Sequence, residues 1–156
     1  MKTRLTNNHL DFVKHIEGEL AKPFSPDSII VFSVFPSLGS GHFSVQVIVG
    51  DYPFLLVRQW DQDLAESYQL GIFNLDTIKI NEERVNLSDI ELKTIQELAS
   101  VDMKIEELKG LILDGVDFKL SISRQGNTKA YHWRTEEQIS IETKGLIKKL
   151  VDVAGL

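Results

Sequence analysis

The period of the apolar positions changes several times along the chain, and each change predicts a new element. Leu10, Phe12, Val13, Ile16 and Leu20 share one broad face at the 100° step of a helix. A helix is therefore expected from about His9 to Leu20, with Asn8 as N-cap and Asp11 in the first turn, where a carboxylate helps. Pro23 and Pro26 end it. Ser28 to Phe35 is β-branched and aromatic on both faces, which suits a central strand covered on two sides. His42 to Val49 alternates, with Phe43, Val45, Val47 and Val49 expected inward, and Phe54 to Trp60 reads as a third strand. Turns at Pro36 to Gly41 and Gly50 to Pro53 join the three into a meander.

Asp61 to Leu70 fits a short helix or a loop, and Ile72 to Ile80 fits a strand whose register the pattern does not set. Ser88-Asp89-Ile90-Glu91 matches a capping box and opens a helix whose apolar face is Leu92, Ile95, Leu98 and Ala99. A second short helix is predicted from about Asp102 to Lys109, stopped at Gly110. Leu111 to Trp133 then reads as three antiparallel strands, turning at Asp114-Gly115 and at Gln125-Gly126-Asn127. Between those turns Val116, Phe118, Leu120 and Ile122 alternate with Asp117, Lys119, Ser121 and Ser123. Thr143, Leu146, Ile147, Leu150, Val151 and Ala154 give the last helix a wide apolar stripe, and Thr135 with Gln138 resembles a capping box before it. The predicted fold is a single α+β domain over residues 1–156: an antiparallel sheet built from two meanders, covered by N-terminal, middle and C-terminal helices.

Composition narrows the classes of function. With 42% hydrophobic and 26% charged residues the chain matches a globular protein able to bury one core, not a disordered segment. No cysteine is present, so disulfides and thiolate metal sites are excluded. The opening MKTRLTNNHLDF lacks the apolar run of a signal peptide, and no stretch approaches the length of a spanning helix; a cytoplasmic protein without membrane contact is expected. The net charge of −6 is uneven. Residues 1–60 balance, residues 61–108 carry twelve acids against four bases, and residues 109–156 carry a small basic excess. An acidic middle third argues against nucleic acid as partner and suits a basic protein.

The candidate chemistry is sparse. Ser37-Leu38-Gly39-Ser40-Gly41-His42 has the glycines of a phosphate loop but is followed by a strand and lacks the lysine, so a hairpin is expected. The four histidines stand in no metal-ligand spacing, and Asp61 with Asp63 begins a calcium loop that Ala65 breaks. No metal and no cofactor is expected. Tyr131-His132-Trp133-Arg134 would place its aromatics on one strand face and its polar pair on the other; with Trp60 these residues are the ligand-binding alternative, Trp60, Tyr131, His132 and Arg134. The acidic alternative is a docking surface that includes Asp61, Asp63, Glu82, Glu83 and Asp89.

Leu113-Asp114-Gly115-x-x-Phe118-x-Leu120-x-Ile122, followed by Tyr131-x-Trp133 before a helix, resembles a pattern in small bacterial α+β proteins, some in the neighbourhood of toxin–immunity systems. The resemblance implies an immunity-type protein that binds and blocks a toxin, with no catalytic residue of its own. The expected function is thus non-catalytic occlusion of a basic partner. Two alternatives belong to other classes: a small-molecule-binding protein or enzyme with a site between sheet and helices, and a structural subunit or homodimer joined through an exposed strand edge or apolar patch, so that a homo-oligomer is possible.

Overall fold

Residues 4–6, 8–68, 73–110 and 115–156 are described by the structure, a computed structural model. The short strand β1 (Leu5–Thr6) precedes helix α1 (His9–Ala21), which starts where Asn8 Oδ1 accepts the Leu10 N–H. Strands β2 (Ser28–Pro36), β3 (His42–Ile48) and β4 (Phe54–Trp60) follow as the expected meander. After the short helix α2 (Leu64–Tyr68) come β5 (Phe73–Asn74), β6 (Asn81–Asn86) and helix α3 (Asp89–Leu98). The hairpin β7 (Val116–Arg124) and β8 (Asn127–Trp133) then leads to helix α4 (Ile141–Ala154).

Six strands form one antiparallel sheet in the order β6-β4-β3-β2-β7-β8, and β1 pairs with β5 in a separate two-stranded ladder. The two meanders meet at β2: Phe32 pairs with Val45 of β3 on one side and with Leu120 of β7 on the other. A strand so flanked is central, as its doubly apolar sequence predicts. On one face Phe32, Val45, Leu55, Leu120 and Trp133 pack against Ile95 of α3 and Leu146 and Leu150 of α4. On the other, Phe12, Ile16 and Leu20 of α1 cover Phe35 and Trp60. No helix among the described residues is long and apolar enough to cross a membrane.

Strand β3 departs from the alternating expectation in one respect. Its polar positions His42, Ser44 and Gln46 face α1 and are buried. The reason is the end of that helix, whose last carbonyls lack donors within the helix. Ser44 Oγ donates to Leu20 O at 2.6 Å and Gln46 Nε2 to Lys22 O at 2.6 Å. Arg58 of β4 adds Nη1 bonds to Glu19 O and Lys22 O. The polar side of the sheet therefore caps the helix instead of meeting water.

Four further expectations are corrected or bounded. Among the described residues of the predicted strand Ile72 to Ile80, Phe73–Asn74 alone forms a ladder; Leu75–Thr77 is a 3₁₀ turn that Asn74 Oδ1 caps by accepting the Asp76 N–H. The strand lies later, at β6, where the charged run NEERV showed no apolar alternation to announce it. Asp102 to Lys109 is not helical: Ile105 forms a bridge with Ile139, and Glu106 N donates to Gln138 O at 2.8 Å. Thr135 opens only the 3₁₀ turn Glu136–Gln138, while Ser140 caps α4 by accepting the Thr143 N–H. The first strand predicted at Leu111 to Leu113, with Asp114, lies outside the described residues.

Candidate functional site

The acidic residues singled out from sequence gather along the outer edge of the sheet. Strand β6 ends the strand order and pairs with β4 residue for residue, from Asn81 opposite Gln59 to Asn86 opposite Phe54. Residues directly opposite across an antiparallel pair share a face. Glu82 therefore lies with Arg58 on the α1 side, and Glu83 lies with Val57 on the α3/α4 side. At one end of β6, Asn81 Nδ2 donates to Asp61 Oδ2. Asp63 follows on the loop, where its Oδ1 accepts the Ala65 N–H at 2.7 Å. At the other end Asp89 opens α3, whose capping box is complete: Ser88 Oγ accepts the Glu91 N–H and Glu91 Oε1 the Ser88 N–H, each at 3.1 Å. These bonds to Ser88 hold the Glu91 carboxyl below its ordinary value.

Two cations punctuate this edge, and each is engaged from within the fold. Arg58 is buried, and its Nε donates to Glu82 Oε1 at 2.9 Å. Arg84 lies over the rings of Phe24 and Phe54, 4.9 and 4.7 Å from their centroids. Glu83, exposed on the opposite face, is left to address solvent. The other edge of the sheet, β8, has the opposite character, with Lys129 exposed and bonded to Asp102 at 3.2 Å.

The ligand-binding alternative does not assemble as one site. Trp60 is buried under α1 in edge contact with Phe12 and His42. Tyr131 packs on the α3/α4 side with Trp133, which stacks on Phe118 and Phe32 at 5.7 and 6.2 Å. Only His132 and Arg134 come together, on the opposite face of β8. There His132 Nε2 lies 2.8 Å from Asp117 Oδ1, and Arg134 Nε lies 3.5 Å from the same oxygen. Lys119 and Glu17 of α1 form a neighbouring pair at 3.5 Å. The α1 side covers β2, β3 and β4 but leaves β7 and β8 open, and a cleft of about 280 Å³ runs along the boundary between Glu17, Ala21, Ser33, Phe35, Asp117 and Lys119.

Asp117, Lys119 and Arg58 were not singled out from sequence as site residues. For the first two a signal existed. Gln125 and Gly126 have φ of 49° and 81°, the two positive angles of a tight hairpin. That turn fixes the register in which Lys119 faces His132, and so puts Asp117 on the same side. Arg58 had no such signal, because its partners Glu19, Lys22 and Glu82 are distant in sequence.

Among the described residues no group of three or more histidine, aspartate or glutamate side chains could hold a metal ion. Comparison with known proteins finds no matching family model, curated protein or solved structure.

Proposed function

We propose that this chain is a protein-binding protein whose acidic sheet edge engages a basic partner and occludes it, as an immunity-type inhibitor does. The observation that supports this reading is the alignment of Asp61, Glu82, Glu83 and Asp89 along one outer strand and its two ends, over about 20 Å. Charges arranged this way raise the rate of encounter and reject like-charged partners more than they add to final affinity. Occlusion asks for no catalytic group, only for a rigid face, and the residue-for-residue pairing of β6 with β4 gives that rigidity.

The test is affinity capture by the intact chain at low and moderate salt, with the double variant Glu83→Lys, Asp89→Lys beside it. One basic protein held in stoichiometric amount, released by salt and at least tenfold weaker on the variant, is the expected result. Equal retention by wild type and variant would remove the acidic edge from the account.

A second reading has its own observation. The His132–Asp117 contact stands beside the cleft at α1, where an imidazole and a carboxylate could orient a small polar ligand. Titrating metabolite mixtures while following the His132 ring resonances by NMR tests it; no shift with any fraction would end this reading.

A further inference from the structure

The outer edge of β6 has a property that its charges alone do not explain. In an antiparallel strand every second residue turns both its N–H and its C=O to the same side. Strand β6 is terminal, and among the described residues no strand pairs with its outer side, so within those residues these groups take part in no ladder. Natural sheets commonly blunt such an edge with a proline, a bulge or a very short strand. None of these devices is present: β6 is six residues long, contains no proline, and keeps its register with β4 throughout. Among the described residues the guard that remains is charge, and charge excludes selectively. It repels a strand of like sign and admits one of opposite sign.

We propose that this edge is a strand-docking site, and that its occupant is an extended segment of the basic partner carrying two consecutive lysine or arginine residues. The inference rests on the protein-binding reading above and gives it a geometry. Successive residues of a docked strand point to opposite faces. The positions opposite Glu82 and Glu83 are therefore neighbours in the partner, one beside the α1 face and one beside the α3/α4 face. Both carboxylates select a cation. Arg84, the next position, selects a neutral or acidic residue, and Val85, half-buried against the α3/α4 core, selects an apolar one. An antiparallel occupant thus reads apolar, acidic, basic, basic from its N-terminus.

A second copy of this chain fits the same edge poorly. Two-fold antiparallel pairing keeps each side chain on its own face, so the residue at the centre meets its own copy. Centres at Glu82 or Arg84 oppose two like charges; a centre at Glu83 also brings two carboxylates together, while setting Glu82, already bonded to Arg58, against Arg84 of the copy. A centre at Val85 leaves only Arg84, Val85 and Asn86 of β6 paired with strand residues. The edge at β8, with its exposed lysine, is the wrong sign for a basic segment.

The experiment uses the full chain and a fluorescent peptide, acetyl-Thr-Val-Glu-Lys-Arg-Thr-amide, followed by anisotropy at low salt. Two analogues carry N-methyl groups on alternate amides, one on each set. In a docked strand only one set faces β6, so one analogue should lose at least tenfold in affinity and the other should bind like the parent. The variant Glu83→Lys, which breaks no side-chain hydrogen bond among the described residues, should weaken the parent peptide by a similar factor. Equal binding by both analogues would overturn strand docking while leaving the acidic surface in place. No binding of the peptide would also overturn it, and the protein-binding reading would then be judged on the salt-dependent capture alone. A dimer in solution that Glu83→Lys dissociates would assign the edge to a second copy, against the proposal.

Discussion

Arg58 Nε donates to Glu82 Oε1 across 2.9 Å, and through this pair the rim of the sheet is tied to the end of its first helix. The guanidinium is buried and also serves the carbonyls of Glu19 and Lys22, whereas the carboxylate is half exposed. The two partners should therefore respond unequally. Arg58→Leu leaves carbonyls without donors and should cost about 3 kcal/mol, while Glu82→Gln, which keeps an acceptor, should cost about 1 kcal/mol. Urea unfolding of the two variants checks the order. Equal costs would show that the pair, not the helix end, is what Arg58 stabilises.

Stability should fall on the acid side because of His42. Burial pushes its imidazole below the ordinary value of 6.5, against the opposing effects of the Pro36 carbonyl, which its Nε2 meets at 2.9 Å, and of Asp63. Its Nδ1 is buried with no hydrogen-bond partner among the described residues, so a second ring proton would have none there. The unfolded chain takes up the proton first. The contribution is complete above 6.5 and is lost as pH falls through that value towards the lower folded one. Urea midpoints between pH 8 and pH 5 should decline more in wild type than in His42→Gln; parallel declines would assign the slope to other groups.

The stack of Trp133 on Phe32 and Phe118 joins β8 to the centre of the sheet. Trp133→Ala should cost about 3 to 5 kcal/mol, and Trp133→Phe distinctly less, because the second retains a ring in the stack. Thermal unfolding measures both.

The pair His132–Asp117 should contribute little to stability, since His132 is half exposed and Asp117 is partly so. Asp117→Asn is expected to shift unfolding by less than about 1 kcal/mol. A larger loss in urea would mean that Asp117 is needed to hold the neighbouring Arg134, 25% exposed, in place.

Ser88→Ala removes the hydroxyl that receives the Glu91 N–H and should cost about 1 kcal/mol. The Glu91 carboxyl, held low by Ser88, contributes stability above its unfolded value and loses it as pH falls through the folded one. In the variant the Ser88 backbone N–H, the larger cause of that lowering, remains, so the acid limb of a stability–pH curve should flatten only in part, and Glu91→Gln should flatten it further. An unchanged limb would place the acid sensitivity elsewhere.

Local rules were sufficient wherever one element satisfies itself. The Ser88 to Glu91 box, the stripe of α4, the doubly apolar β2 and the Gln125-Gly126 turn are all short-range signals, and the structure contains each of them. The sequence also determined that Tyr131 and Trp133 would part from His132 and Arg134, because a strand has a period of two. What it left open depended on partners far along the chain. Strand β6 has almost no apolar alternation, since an edge strand buries little and is held by backbone bonds to β4. The polar residues of β3 looked solvent-facing until α1 ended above them and needed donors. The segment near Ile105 had the composition of a helix, yet its bonds go to Gln138 and Ile139. Charge could be counted from the sequence, but whether Asp61, Glu82, Glu83 and Asp89 would lie together was decided by the order of strands, which long-range pairing sets and no local pattern encodes.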